Sequence, residues 1–348
     1  MNIDGVVLLD KPEGLSSNAA LQRARRALGA DKAGHTGTLD PMATGLLPLC
    51  LGEATKFSQG LLDADKGYLA TARLGATTDT GDREGRILVE RPVEIDGGTI
   101  GPVLAALTGM IKQIPPMYSA IKHQGRPLYA IARAGGEVAR AARTVHIRRL
   151  TLIDWSPPCL TFEVDCSKGT YVRTLAEAIG ERLGTGAHLI ALRRTAVGPF
   201  RLDRAVTLDA LQAASPEQRR QWVLPADLLV QQLPAIELAL ADARRLMQGR
   251  ELSLSDAQCA SVGAGLTVAP AGDDPAVGQV LVRVYCREAD PGNVDPGDAA
   301  ARSGQAGFLG VAGVTPSGRL RAVRLIAHIC TPEVPETVRP GPESAETT

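Results

Sequence analysis

Aromatic side chains are scarce: four Phe, five Tyr and two Trp make up 3 % of 348 residues. Long apolar runs are missing too. No stretch approaches the ~18 uninterrupted apolar residues of a membrane-spanning helix, and Met1-Asn2-Ile3-Asp4 lacks the basic-then-apolar layout of a signal peptide. The six cysteines (Cys50, Cys159, Cys166, Cys259, Cys286, Cys330) contain no Cys-x-x-Cys pair. A chain of this length does not need disulfide staples, so reduced thiols and a cytoplasmic location are expected, with no membrane association. The five histidines include no His-Glu-x-x-His and no cluster at zinc-ligand spacing, so no metal site is expected. Net charge is absent as well, with 38 basic against 38 acidic residues, which speaks against a uniformly basic nucleic-acid binder.

What is present is ordinary globular composition, 44 % hydrophobic and 22 % charged, over a length that exceeds one hydrophobic core. The zero charge hides an asymmetry. Residues 1–230 hold 28 basic against 24 acidic side chains, and residues 231–348 hold 10 against 14. Three basic groupings stand out: Arg140, Arg143, Arg148 and Arg149; Arg193, Arg194 and Arg201; and Arg23, Arg25, Arg26 and Lys32. Each suits a phosphate backbone, although a solvated helix or strand face gives the same pattern.

Gly5 to Asp10 has the short apolar run of a buried strand. Ser16 or Ser17 then caps a helix with Ala20, Leu21, Ala24 and Leu28 on its apolar face and Gly29 beyond its end. Residues 34–52 form a Gly/Thr/Pro-rich loop leading into Leu46 to Leu51, and Glu53 to Leu62 has a helical pattern. Strands are expected at Tyr68 to Leu74, Arg86 to Glu90, near Ile111, at Tyr118 to Lys122 and at Leu189 to Val197, and as a pair at Val145 to Trp155 and Leu160 to Cys166. Helices are expected at Thr99 to Leu107, Leu128 to Ala134 and, capped by Thr170, Tyr171 to Leu183. Strands interspersed with helices, several paired locally, predict an α+β fold with a mixed, mainly antiparallel sheet. Short helices around Leu208–Leu211 and Glu217–Trp222 precede a second domain from 231 to 330. In it strands are expected at Ile236 to Leu240, Val280 to Cys286, Phe308 to Val314 and Leu320 to Ile326, with a helix at Asp242 to Met247. The Gly/Ala/Asp/Pro-rich segment 287–306 has the composition of a mobile insertion, and 331–348 that of a disordered tail.

The segment Gly34-His35-Thr36-Gly37-Thr38-Leu39-Asp40-Pro41-Met42-Ala43-Thr44-Gly45 is the most informative. Its glycines and small hydroxyl residues let backbone approach a ligand, yet it lacks the Gly-Lys-Ser/Thr ending of a P-loop. It offers one carboxylate, Asp40, although a lone loop aspartate is ordinarily a turn former or cap. Tyr68 follows Lys66-Gly67, and Tyr171 follows Lys168-Gly169-Thr170. A tyrosine beside a lysine and a glycine suits a site that stacks a flat base near a phosphate, and suits a core edge equally. Arg173 falls in a first helical turn, where a cation gains nothing from the helix dipole. The placement makes sense for a partner acid outside the helix, with Asp40 a candidate.

Several segments resemble the TruB family, the bacterial tRNA pseudouridine-55 synthases: D-K-P-E-G-L-S-S at 10–17, G-H-T-G-T-L-D-P-M-A-T-G-L-L-P at 34–48, G-E-A-T-K-F at 52–57, K-G-Y at 66–68, S-K-G-T-Y-V-R-T-L at 167–175 and A-H-L-I-A-L-R-R-T at 187–195. The likeness keeps the family's order over residues 3–230, which implies a pseudouridine synthase catalytic domain at 1–230. Residues 243–252 and 308–314 resemble a PUA-type RNA-binding domain more loosely. The resemblance implies Asp40 as the catalytic aspartate, Arg173 as its ion-pair partner and Tyr68 as the ring that stacks on the target uracil. It implies Tyr171 and Leu192 as further pocket positions, and His35 as the residue that fills the stack once the nucleotide flips out. Lys11 and Lys56 take a supporting or phosphate-facing role. The implied reaction breaks N1–C1′, turns the uracil over and joins C5 to C1′ without a cofactor, a task suited to a carboxylate that attacks C1′ or offsets charge there, with a covalent bond at C1′, addition at the uracil ring and a glycal route as the open alternatives. The implied partner is the tRNA T-stem-loop, with the chain a monomer and no obligate protein partner. A tRNA-binding chaperone and a guide-dependent dyskerin-type enzyme are the alternatives.

Overall fold

The computed structural model describes residues 3–263, 279–287 and 307–330. The elements of the N-terminal part run β1 (Gly5–Lys11), α1 (Ser17–Leu28), β2 (Ala33–His35), β3 (Thr44–Leu51), α2 (Gln59–Asp63), β4 (Lys66–Leu74), β5 (Ala76–Thr78), β6 (Ile87–Glu90), α3 (Ile100–Ala106) and β7 (Gly109–Gln113). They continue with β8 (Lys122–His123), β9 (Arg126–Pro127), α4 (Leu128–Arg133), β10 (Arg143–Ser156), β11 (Cys159–Cys166), α5 (Val172–Arg182), β12 (Ala187–Val197), β13 (Phe200–Arg201), β14 (Val206–Thr207), α6 (Leu208–Ala213) and α7 (Pro216–Gln221). Then come β15 (Ala235–Ala239), α8 (Leu240–Met247), β16 (Leu252–Ser253), α9 (Asp256–Gly263), β17 (Val280–Arg287), β18 (Gly307–Val314) and β19 (Arg319–Cys330). The insertion expected at 287–306 lies, from residue 288, outside the described residues, as does the acidic tail from 331.

A ten-stranded sheet of order β14-β1-β3-β12-β4-β11-β10-β7, with β2 on β3 and β13 on β12, forms the frame of the first part. β1 with β14 and β12 with β3 run parallel; the β12–β4, β4–β11, β11–β10 and β10–β7 pairs run antiparallel, the mixed and mainly antiparallel sheet expected from the local strand pairs. Its core is where alternation directs apolar side chains to one face, Phe162 and Val164 of β11 and Ala70 and Ala72 of β4, against Ile100 and Leu104 of α3 and Leu175 and Ile179 of α5. The second part is a five-stranded sheet, β15-β17-β18-β19-β16, with its own core around Val282, Val284, Leu309 and Leu320.

Two compact units result. One takes Val7–Leu51 and Ser58–Pro216; the other takes Gly52–Phe57, the described residues from Glu217 onward and the segment before Val7. The contacts divide the chain at Pro216, ahead of the composition shift near 230, because the 3-10 turn Ala226–Val230 packs against Gly52–Phe57 and β18.

Four local expectations are corrected. Residues 34–52 are not a single loop, since β2 pairs with Leu49 to Leu51. The helix expected over Glu53 to Leu62 breaks at Ser58 into a 3-10 turn, Gly52–Phe57, and α2, which fall in different units. No strand covers Tyr118 to Lys122 beyond β8; the Tyr118 carbonyl accepts from Arg173 instead of a ladder partner. Thr170 does not cap α5: its hydroxyl donates to Ser167 and closes the preceding turn, so Tyr171 is the N-cap, without a side-chain bond. At α1 the choice falls on Ser16, whose Oγ accepts from the Ala19 N–H, while Ser17 turns inward.

Candidate active site

A cavity of about 250 Å³ opens in the first unit. The 37–40 loop, β4, the 119–120 segment, the turn into α5, and β12 line it. β4 and β12 place Tyr68 directly opposite Arg194, and Leu192 opposite Ala70, so the three side chains share one face. A register shift in β12 between Arg194 and Ala196 lies beside the site, where it bends the strand. At the other strand neighbour, Gly45 sits against Arg194 with φ +100°, and a Cβ there would meet the Arg194 carbonyl oxygen at 2.3 Å. Only glycine permits that approach.

The loop before Asp40 is held from below. The Ser17 Oγ donates to the Leu39 carbonyl at 3.0 Å and accepts from its N–H at 2.7 Å. The Lys11 ammonium donates to the carbonyls of Pro12, Leu15 and Pro41, gripping the residue after Asp40. Asp40, half-buried, turns its Oδ2 to the Nε of Arg173 at 3.1 Å. Arg173 is 4 % exposed. Its Nη1 stands 3.4 Å from the Asp82 carboxylate and donates to the Thr80 carbonyl, and its Nη2 donates to Tyr118. Two acids and two carbonyls thus offset the cost of a cation at a helix N-terminus. Burial pushes the Asp40 carboxyl above its ordinary value; Arg173 and Lys11 oppose that, and Asp82 adds to it. Among the described residues lining the cavity, Asp40 is the one carboxylate.

Residues 25–172 match the model of the TruB family pseudouridylate synthase N-terminal domain, and residues 173–231 that of the tRNA pseudouridylate synthase B C-terminal domain. The chain is 52 % identical over 329 residues, 94 % of each chain, to the tRNA pseudouridine synthase B of Aromatoleum aromaticum. It is 59 % identical over 254 residues, 73 % of this chain and 84 % of the relative, to the enzyme of that name from Burkholderia mallei. The chain belongs to the TruB family. It is therefore a pseudouridine synthase, an isomerase, as the motifs implied. A chain of a Cbf5-Nop10-Gar1 complex superposes with a TM-score of 0.61 at 24 % identity, covering 90 % of this chain and 79 % of that one, which shows a shared fold.

In this TruB-family chain, Asp40, Tyr68, Tyr171, Arg173 and Leu192 come together on the cavity wall. His35, Lys11 and Lys56 do not line it. His35 on β2 has a buried Nδ1 without a partner, and burial and then Arg194 push its pKa down, which favours the neutral ring. Lys11 is fully buried with its amine spent on carbonyls, so of its two expected roles the phosphate-facing one is not open to it. Lys56 belongs to the other unit, bonded to Glu53 and to the Leu325 carbonyl.

Two of the basic groupings are corrected in part, since Arg143 and Arg201 stay exposed. Arg193 forms a two-pronged pair with Asp10, and Arg194 is 1 % exposed, donating to the Leu46 and Gly37 carbonyls. Arg148 pairs with Asp65, Arg149 with Glu163 and Asp165, and Arg140 with Glu137. Asp65, Glu163 and Asp165 are remote in sequence from Arg148 and Arg149 and meet them once the sheet assembles, whereas Glu137 lies only three residues from Arg140. Arg23 and Arg26 remain exposed on α1. Sequence reasoning missed Asp82, Lys66 and Ser119. The small-residue turn Thr80-Gly81-Asp82 was the one available signal for Asp82; Lys66 was noted only as a neighbour of Tyr68.

Proposed function

We propose that this TruB-family chain isomerises the T-loop uridine at tRNA position 55 to pseudouridine, with Asp40 as the nucleophile. The carrying observation is the one carboxylate that lines the cavity among the described residues, held by a buried arginine beside a tyrosine and a leucine that share a strand-pair face. A uridine inside a folded loop hides C1′ and C5, so it must be extruded, at a cost of a few kcal/mol. Stacking on Tyr68 and packing on Leu192 offset that cost, and His35 fills the stack left behind. The Asp40 carboxylate attacks C1′ or stabilises the positive charge there as N1–C1′ breaks. The uracil turns between Tyr68 and Leu192 and C5 bonds to C1′, with any Asp40–C1′ bond breaking to free the carboxylate; C5 then gives up its proton and N1 gains one. Arg173 holds Asp40 in line, Tyr171 closes the pocket wall, Lys11 supports the loop and Lys56 has a supporting place in the second unit.

Recognition of the T-stem-loop rests on shape and extruded bases. The exposed arginines of α1 and a PUA-like second domain from 231 to 330 supply phosphate contacts. The chain acts in the cytoplasm as a monomer without an obligate protein partner, guide RNA or cofactor. Site-resolved pseudouridine mapping on an unmodified, guide-free tRNA transcript tests this. Product at the T-loop uridine with wild type and none with Asp40→Asn, whose tRNA affinity stays within about threefold, is the expected result. Tight tRNA binding without product from wild type would favour the chaperone, and product only with an added guide the dyskerin-type alternative.

A further inference from the structure

Among the described residues Arg194 is one of the largest fully buried side chains, and it lines the cavity wall. Its Nε donates to the Leu46 carbonyl of β3 at 2.7 Å, and its Nη2 to the Gly37 carbonyl at 3.2 Å. Its third neighbour is Tyr68, the directly opposite residue of β4 on the same face, whose hydroxyl and the guanidinium influence each other electrostatically. Among the described residues no carboxylate forms an ion pair with it, in contrast to Arg173, which has two. A buried guanidinium without a counter-ion is costly, and two hydrogen bonds to fixed carbonyl oxygens offset only part of that cost. Lysine could not replace it, since one ammonium cannot reach β3, the Asp40 loop and the Tyr68 ring from one planar fork.

We propose that Arg194 is a positioning residue for the isomerisation: one guanidinium sets the distance between the Tyr68 ring, on which the uracil stacks, and the Gly37–Asp40 loop, which carries the nucleophile. The inference rests on the reading of this cavity as the uridine site. Leu46 anchors the fork to the sheet. Gly37, at φ +99° and lying 3.6 Å by its virtual Cβ from Nη1, brings the loop backbone onto the fork. The Tyr68 hydroxyl fixes the ring's third degree of freedom, its slide along the pocket. The uracil must turn between two geometries without losing its distance to Asp40, so a displaced platform costs rate and leaves tRNA binding, made largely by contacts outside the cavity, unchanged.

The test compares full-length wild type, Arg194→Lys, Tyr68→Phe and the double variant for single-turnover pseudouridine formation, tRNA dissociation constant and thermal unfolding. Each single substitution is expected to slow the single-turnover rate by about 10- to 100-fold, with tRNA affinity within about twofold. The double variant should be within about threefold of the slower single one, because both remove the same contact. A wild-type rate for Arg194→Lys, a multiplicative loss in the double variant, or a rate loss matched by lost affinity overturns the proposal. If Arg194→Lys does not fold, Tyr68→Phe decides: slow turnover with affinity kept supports the contact, and wild-type turnover overturns it. Asp40→Asn in the same assay separates the two readings. Product from Asp40→Asn would remove the cavity's assignment itself, whereas no product from it beside full activity of Arg194→Lys removes the role of Arg194 alone.

Discussion

Asp40 and Arg173 stand 3.1 Å apart, Oδ2 to Nε, with the arginine buried and the carboxylate facing the cavity. The pair has opposing consequences for Asp40. Burial raises its pKa, Arg173 lowers it, and Asp82, on the far side of the same guanidinium, raises it again. The carboxylate is thus kept basic and aimed at once, whereas a fully compensated ion pair would make it a poor nucleophile.

The acid limb of activity follows from that balance. The anion is the working form, so the single-turnover rate falls as pH drops through the raised pKa, above the ordinary value of 3.8. Arg173→Met removes a lowering influence and shifts the limb to higher pH, besides slowing the reaction at every pH. Asp82→Asn removes a raising influence and shifts it to lower pH. Rate–pH profiles of both variants check this; limbs moving in the same direction would contradict the balance described.

Stability carries the opposite sign from activity. A carboxyl whose folded pKa lies above its unfolded value binds protons more readily when folded, so stability is lost as pH rises from the unfolded to the folded pKa. At neutral pH, Asp40→Asn, a mimic of the protonated acid, should therefore melt higher than wild type. The difference should vanish below about pH 3.8, the unperturbed value. Thermal unfolding followed between neutral and acid pH measures it, and a lower melting temperature for Asp40→Asn at neutrality would refute it.

Ser17 is expected to act on catalysis from a distance. Its hydroxyl both donates to and accepts from the Leu39 backbone, next to Asp40. Ser17→Ala leaves a buried N–H and C=O unpaired, which costs about 1–3 kcal/mol in urea unfolding. The freed loop should lower the single-turnover rate by about tenfold with tRNA affinity unchanged. A stability loss with full activity would show that the loop is held without it.

Gly45 should tolerate no side chain. Gly45→Ala adds a Cβ 2.3 Å from the Arg194 carbonyl at a φ of +100°. Strain and overpacking together cost about 2–5 kcal/mol, and the β3–β12 pairing that seats Arg194 should loosen. Chemical denaturation reads the loss; an alanine variant as stable as wild type would show that the backbones can part there.

How much was legible in the sequence differs by residue. Short-range patterns carried the strands β4, β11 and β12, because alternation at period two is written into consecutive residues. The same holds for α1, whose cap, apolar face and terminal glycine lie within one span. The family resemblance, and not local pattern, carried Asp40, Tyr68, Tyr171, Arg173 and Leu192 to one site. Thr170 and the helix expected over Glu53 to Leu62 were misjudged where a local preference met a tertiary demand: the hydroxyl was needed by Ser167, and the helix was divided between two units.

By itself the sequence determined the family, the order of the elements and the identity of the lone loop carboxylate, since each is a property of residues near one another or of their spacing. Tertiary structure alone decided which charges face solvent. Arg193 and Arg194 are adjacent in sequence, yet one reaches Asp10 and the other is sealed against Leu46, Gly37 and Tyr68. Pairing partners separated by more than a hundred residues have no trace in local pattern, because strand register, and not chain distance, brings their charges and carbonyls together.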